Sequence, residues 1–326
     1  MKSLKLVGTG SEMPSRVLTN YDLEKMVDTT DAWILERTGI RERRIADADT
    51  ATSDLVAIAL EKACRQAQTR PADLDTIIVA TSTPDTVYPA TACWVQRRLG
   101  IAGAAAFDVS AGCSGFLFAL EIAANLVQAG TASRVGVAGG EVMSKVVNWQ
   151  DRSTCVLFGD GAGAAVVVPG DGHSGLLASN WGCDGSLAPL LYQPAGGTRL
   201  PATAQTVAAR QHSVHMEGNQ VFRHAVRAMG GAAMQALKDA DLDRDDVALL
   251  IPHQANMRIM EAVRERVGIP PERMFSVLER YGNMSAATIP VALDEAREQG
   301  RLRDGDIVLM AAFGTGFTWA AAALRW

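Results

Sequence analysis

The sequence predicts a layered α/β fold whose two similar halves face each other across a shared interior. Short apolar runs of strand length alternate with longer helical patterns along the whole chain. The pattern also repeats loosely. "RPADLDTIIVATSTPD" (70–85) parallels "DLDRDDVALLIPHQAN" (241–256), and "SRVGVAGGE" (133–141) parallels "DGDIVLMAAFGTG" (304–316). With 48% hydrophobic and 21% charged residues over 326 positions, the chain has an ordinary globular composition. A pseudo-dyad between the halves, 1–170 and 171–326, puts the strand-end loops face to face, and the join falls at "VPGDGHSG" (168–175).

The strands expected are "DTIIVATS" (75–82), "AAFDVS" (105–110), "SRVGVAGG" (133–140), "GAAVVV" (163–168), "VALLIP" (247–252) and "DIVLMAAF" (306–313). Helical patterns lie between them at 51–67, 114–130 and 219–237. The run 114–130, "SGFLFALEIAANLVQAG", is apolar on nearly every side and reads as a helix buried all round, with Gly130 as its C-terminal stop. "YQPAGGTRLPATAQTVAARQHS" (192–213) reads as a loop.

Several function classes fall away. A net charge of −5 argues against a nucleic-acid partner. Five scattered cysteines (64, 93, 113, 155, 183) without a CxxC pair form neither a disulfide framework nor a zinc site, so a cytoplasmic protein with no metal is expected. The first residues are too poor in apolar side chains for a signal peptide, and no run of about 20 apolar residues could span a bilayer. "GDGAGAAVVV" invites a dinucleotide-binding reading, but that fingerprint follows a strand and opens a helix, whereas here a strand follows.

Candidate chemistry starts at Cys113, in "FDVSAGCSGF", between a strand and the buried helix. Unpaired N–H groups and the positive end of the helix dipole favour a thiolate there, and small neighbours let a substrate reach the sulfur. The bland alternative, an inert buried cysteine, is equally open on this stretch alone. His253 follows "VALLIP" directly, at a strand end. His173, His212, His215 and His224 have nothing distinctive around them. Asn283 sits among small residues in "YGNMSAAT" (281–288), and "FGTGFTW" (313–319) reads as a hairpin turn whose N–H groups could hold an oxyanion.

Taken in order, "DAWILERTGIRERRIA" (31–46), "GCSGF" (112–116), "DRSTCVLFGDGAGAAVV" (151–167), "HQANMRI" (253–259), "YGNMSAATIPVALDEA" (281–296) and "AAFGTGFTWAAAALRW" (311–326) resemble the β-ketoacyl-[acyl-carrier-protein] synthase III family of the thiolase superfamily, over essentially the whole chain. The resemblance implies a thiolase-like five-layer α-β-α-β-α fold from two duplicated halves, a homodimer, and decarboxylative condensation of an acyl-coenzyme A primer with malonyl-acyl carrier protein. It needs no cofactor, since acyl-coenzyme A is a substrate. Cys113 matches the acylated nucleophile, and His253 and Asn283 match the pair that stabilises the enolate. The N–H groups of Cys113 and Thr315 match the oxyanion donors.

By the same resemblance, Trp33, Arg37 and Arg152 hold coenzyme A, with Gly218 and Asn256 along its pantetheine tunnel. Arg258 lies at the rim that faces the carrier protein. From helix spacing alone, Arg258 and Arg266 fall on one face and Arg223 and Arg227 form an i, i+4 pair, which reads either as solvated faces or as a surface that steers an acidic carrier protein. Tyr88, Met143, Phe158 and Phe313 are assigned to the acyl pocket, Tyr88 at a position that reaches into the partner's. Met284 stands where a threonine is common, and this departure, with the 192–213 loop, bears on primer length. Two rivals are a same-fold condensing enzyme of secondary metabolism and a non-catalytic acyl-thioester-binding subunit. An intact Cys113, His253 and Asn283 set argues against the latter.

Overall fold

The computed structural model describes residues 4–170, 172 and 174–326, so Asp171 and His173, within the expected join, lie outside the described residues. Its first large sheet is made of β1 (Leu4–Glu12), β2 (Thr76–Ala80), β3 (Ala105–Val109), β4 (Val135–Val142) and β5 (Asp160–Pro169), in the order β1-β5-β4-β2-β3. The second contains β6 (Gly175–Cys183), β7 (Val247–Pro252), β8 (Ile307–Gly314) and β9 (Thr318–Arg325), in the order β7-β8-β9-β6.

The two sheets have the same wiring. In the first, β1 and β5 are antiparallel, β5 and β4 antiparallel, and β4 and β2 parallel. In the second, β6 and β9, β9 and β8, and β8 and β7 repeat those directions in that order. Thus β2 corresponds to β7 and β4 to β8, the pairs of segments that the sequence repeat aligned. The counterpart of β3 shrinks to a single parallel bridge between Leu250 and Met274.

Helices fill the layers between and outside the sheets. The helices used below are α1 (Asp31–Thr38), α2 (Thr52–Gln66), α3 (Thr91–Arg98), α4 (Gly115–Gln128), α5 (Gly218–Asp239), α6 (Met257–Val267) and α7 (Thr288–Glu298). One hydrophobic cluster joins α2 and α3 to the outer face of the first sheet, through Leu60, Val95 and Val79. A second joins α5 and α6 to the outer face of the other sheet, through Met229, Val263 and Leu309. The largest lies in the middle, where Phe116 and Leu120 of α4 and Ile289 and Leu293 of α7 meet Ile78 and Met310 from the two sheets. These five layers bury β4 and β8 on both faces, which is why both read as continuous apolar runs.

Three strands of the two large sheets escaped the sequence pattern, β1, β6 and β9, as did the short strands Val17–Thr19, Glu42–Arg44, Leu191–Tyr192 and His215–Met216. The first is rich in glycine, and a Cβ on Gly8 or Gly10 would run into the backbone of α2, so close packing removed the side chains that would have marked the strand. The stretch 192–213 is not wholly loop: Ala204–Ala208 form a helical turn capped by Thr203. Nor is α4 buried all round, since Phe118 and Ile122 are only half-buried.

Candidate active site

Three strand-end segments and the turn between Tyr281 and Ser285 meet at the floor of a cavity of about 1100 Å³, lined there by Cys113, His253, Asn283 and Thr315. Strand β3 ends at Val109, and Gly112–Ser114 make a single 3-10 turn ahead of α4. Gly112 has φ +55°, and a Cβ there would meet Thr315 N at 2.7 Å. A Cβ on Gly314 would run into Cys113 N. Glycine at both positions therefore lets two backbones close, which brings the amide nitrogens of Cys113 and Thr315 to one corner of the floor.

The expected thiolate is corrected by the fold. Burial pushes the Cys113 thiol up to about 12. Desolvation is the largest influence on this sulfur, which lies in the 3-10 turn ahead of α4. The resting nucleophile is a thiol and must lose its proton to react.

His253 leaves β7 with its backbone N–H donating to Ala311 O of β8 at 2.7 Å. Its ring is buried, and that burial brings its pKa down to about 3, so the imidazole is neutral. Nδ1 lies 2.7 Å from Thr288 Oγ1, which is itself 3.0 Å from Ser285 O. A hydroxyl can serve either ring tautomer. Donating to Ser285 O, it accepts Nδ1–H and leaves Nε2 bare; turned toward Nδ1, it leaves Nε2 as the donor.

Asn283 is pinned by its backbone, its N–H donating to Leu157 O at 2.8 Å and its carbonyl accepting from Gly159 N at 3.1 Å. Its Oδ1 accepts the Ser285 N–H at 2.8 Å. With the acceptor end so occupied, the amide end is the one left to donate to a ligand. Ser285 takes φ +46°, a left-handed conformation uncommon outside glycine, to complete this turn.

The mouth of the cavity carries a stacked group. The Arg37 and Arg152 guanidiniums lie 4.8 and 5.0 Å from the Trp33 ring centre. Asn256 caps α6 by accepting Arg258 N–H at 2.9 Å and donates to Arg37 O at 3.0 Å, which ties α6 to α1. Gly218, Arg223 and Arg258 also line the cavity.

The family is decided by comparison with known proteins. Models of 3-oxoacyl-[acyl-carrier-protein (ACP)] synthase III and of its C-terminal part match residues 107–185 and 237–326. A β-ketoacyl-[acyl-carrier-protein] synthase III of Desulfitobacterium hafniense is 52% identical over 326 residues, covering 100% of this chain and 98% of that one. One of Caldanaerobacter subterraneus is 51% identical, covering 98% and 97%. The chain belongs to the β-ketoacyl-[acyl-carrier-protein] synthase III family. The crystal structure of the 3-oxoacyl-[acyl-carrier-protein] synthase III of Aquifex aeolicus superposes with a TM-score of 0.92 at 46% identity, covering 99% of this chain and 100% of that one. The fold is accordingly the thiolase-like one, and the protein is an acyltransferase of fatty acid synthesis.

Within this synthase III frame, Met143, Phe158 and Phe313 line the cavity, but Tyr88 does not. It is 84% exposed in the loop between β2 and α3, so it enters no pocket of its own chain. Met284 is fully buried and packs toward Gly161 in the central core, so its side chain does not shape the cavity and has no direct bearing on primer length. Arg152 stacks on Trp33 beside the cavity rather than lining it, and donates to Asp28 O at 2.6 Å. Arg266 is exposed on α6 and lies along Gly230 of α5, away from the cavity.

Two residues escaped sequence reasoning: Ser285 and Thr288. The two hydroxyls follow Asn283 in a turn that reads as generic helix-start chemistry.

Proposed function

We propose that the chain joins an acyl-coenzyme A primer to malonyl-acyl carrier protein with loss of carbon dioxide, giving 3-oxoacyl-acyl carrier protein. The observation that carries this is the meeting of Cys113, His253 and Asn283 on one cavity floor. The Cys113 sulfur attacks the thioester carbonyl while the N–H groups of Cys113 and Thr315 hold the oxyanion, and coenzyme A leaves as the thiol. Malonyl-acyl carrier protein then places its thioester oxygen against the Asn283 amide and His253 Nε2–H. Both are neutral donors, suited to an enolate that forms as carbon dioxide departs. The enolate carbon attacks the Cys113 acyl group and expels the Cys113 sulfur as thiolate, which takes up a proton from solvent to restore the thiol. Every step is an acyl transfer, a decarboxylation or a proton transfer, and we assign no cofactor.

Brief incubation with labelled acetyl-coenzyme A, followed by intact-mass measurement and peptide mapping, tests the assignment. One acyl group per chain on Cys113 is expected. Cys183 is exposed and Cys93 half-buried, so accessibility alone would favour them. Label there, on Cys64 or Cys155, or nowhere, overturns the reading.

Coenzyme A fits the mouth by charge and shape, with Trp33 for a base and Arg37 and Arg152 for phosphates. Acidic carrier protein fits the neighbouring helices. On α6, Arg264 is tied to Glu261 at 2.6 Å, whereas Arg258 and Arg266 are exposed and lie outside any ion pair among the described residues. Arg223 and Arg227 project from α5 beside them.

We also assign a homodimer. β3 is an edge strand, and beside it α4 leaves Phe118 and Ile122 half-covered. Trp181 stacks edge-on against Phe118 at 4.8 Å while still 46% exposed, and Val87 and Tyr88 are 87% and 84% exposed. A second copy would cover this apolar surface and take Tyr88 into its own acyl pocket. Phe118→Glu should yield monomers by sedimentation; an unchanged dimer would move the interface elsewhere. No helix among the described residues is long and apolar enough to cross a membrane. With all five cysteines free, we place the enzyme in the cytoplasm beside its substrates.

A further inference from the structure

We infer that Glu295 is a positioning residue for Asn283. Through Tyr281 and Arg280 it clamps the turn that brings the Asn283 amide to the cavity floor, so enolate stabilisation depends on it and acylation does not. The inference rests on the reading of Asn283 as an enolate donor.

Tyr281 lies two residues before Asn283, at the end of a single helical turn, Leu278–Tyr281. Four residues are too few to sustain a helix by their own hydrogen bonds, so this turn needs support from outside. Arg41 pairs with Glu279 on its exposed side. The end nearer Asn283 is held by Glu295, which lies two turns into α7 and is buried. Glu295 Oε1 accepts the Tyr281 hydroxyl at 2.6 Å, and Oε2 is paired with the Arg280 guanidinium. Arg280 also donates to the Tyr281 hydroxyl oxygen at 3.2 Å, with its guanidinium 4.9 Å from the Tyr281 ring centre. One carboxylate thus engages two consecutive side chains that are stacked on each other. Burial pushes the Tyr281 phenol up to about 12, so it remains a donor at neutral pH.

Between this clamp and Asn283 stands only Gly282, at φ +65°, where a Cβ would meet Leu157 O at 2.8 Å. A glycine joint leaves the chain free to approach Asn283 from several directions unless both of its ends are fixed. The bonds from Asn283 to Leu157 and Gly159 fix one end, and Glu295 fixes the other. The same helix also serves His253, whose ring meets Thr288 at 2.7 Å. Thr288 and Glu295 are seven residues apart, which places them within about 20° of one face of α7. The two donors that must converge on one thioester oxygen come from different segments, yet both are referred to this one buried helix. Cys113 is set separately, by the close approach of Gly112 and Gly314, so acylation is the internal control.

The test measures carbon dioxide release from malonyl-acyl carrier protein and single-turnover acylation by acetyl-coenzyme A in the full-length enzyme. The variants are Tyr281→Phe and Glu295→Ala, each alone and combined with Asn283→Ala. Tyr281→Phe should slow carbon dioxide release roughly 10-fold, and Glu295→Ala roughly 10²-fold, the scale of a displacement of about 1 Å at a reacting group. Acylation should stay within about twofold of wild type. Combined with Asn283→Ala, neither substitution should cost anything further, because no amide is left to misplace. Additive losses in that background, equal losses in the two half-reactions, or unchanged decarboxylation would each overturn the clamp. If Glu295→Ala does not fold, Tyr281→Phe decides, since it removes one hydroxyl and keeps the Arg280–Glu295 pair. If wild type releases no carbon dioxide, or Asn283→Ala releases it normally, the functional reading has failed instead. Deuterium uptake of the 278–285 peptide would then still separate a clamp (faster in both variants) from a turn held without it (unchanged).

Discussion

Nδ1 of His253 lies 2.7 Å from the hydroxyl of Thr288, a residue 35 positions along the chain at the start of a different helix. The contact orients the imidazole over the cavity floor and serves either tautomer. Thr288→Val keeps the shape and removes the hydroxyl. Losing one buried hydrogen bond costs about 1–3 kcal/mol. Carbon dioxide release should therefore slow by roughly 10-fold, with little change in KM for malonyl-acyl carrier protein. Thr288→Ser should recover most of the rate. Equal losses in the two variants would show that the methyl group, not the hydroxyl, is what matters.

The two halves of the reaction should separate by substitution. Cys113→Ala should abolish acyl transfer and still release carbon dioxide from malonyl-acyl carrier protein, because His253 and Asn283 remain in place. His253→Ala and Asn283→Ala should each lose decarboxylation by roughly 10²–10³, the usual cost of one preorganised donor. Carbon dioxide release and acyl-enzyme formation, measured side by side, check this. Normal decarboxylation by His253→Ala would remove the histidine from enolate stabilisation.

Stability should carry the mark of His253. In the unfolded chain its ring protonates near 6.5, whereas the native ring stays neutral down to about 3. Between those values the unfolded state holds a proton that the native state lacks. The contribution is therefore intact above pH 6.5 and is lost as the pH falls toward 3. By pH 5 the loss is about 2 kcal/mol. His253→Gln removes it, so urea midpoints of variant and wild type should converge or cross as the pH drops from 7.5 to 5. A constant gap between them would contradict a neutral buried ring.

Trp33→Ala removes the surface on which Arg37 and Arg152 stack. KM for acyl-coenzyme A should rise about 10-fold, in keeping with the roughly 1–2 kcal/mol of such contacts. The rate of carbon dioxide release from malonyl-acyl carrier protein should change far less. Steady-state kinetics on each substrate checks the split, and equal effects on both would argue for a general role at the mouth.

Much of this molecule was readable from the residues in order. The apolar runs that became β2, β4, β7 and β8 follow from burial on both faces, and their pairwise likeness foretold two sheets with one wiring. Cys113, His253, Asn283 and Thr315 were readable because each ends a strand or opens a helix among small residues. Local sequence could not supply the long-range terms. The thiolate expected at Cys113 ignored desolvation, which depends on what the other half of the chain packs over it. The half-open face of α4 depends on which of its sides the two sheets and α7 cover, and no periodicity reports that. Ser285 and Thr288 became legible only when the 285–287 turn and α7 were brought under one floor. Periodicity and turn chemistry are properties of neighbours along the chain, and they determine which elements form. Proton affinity and hydrogen-bond partnership are properties of neighbours in space, and only the packed structure decides those.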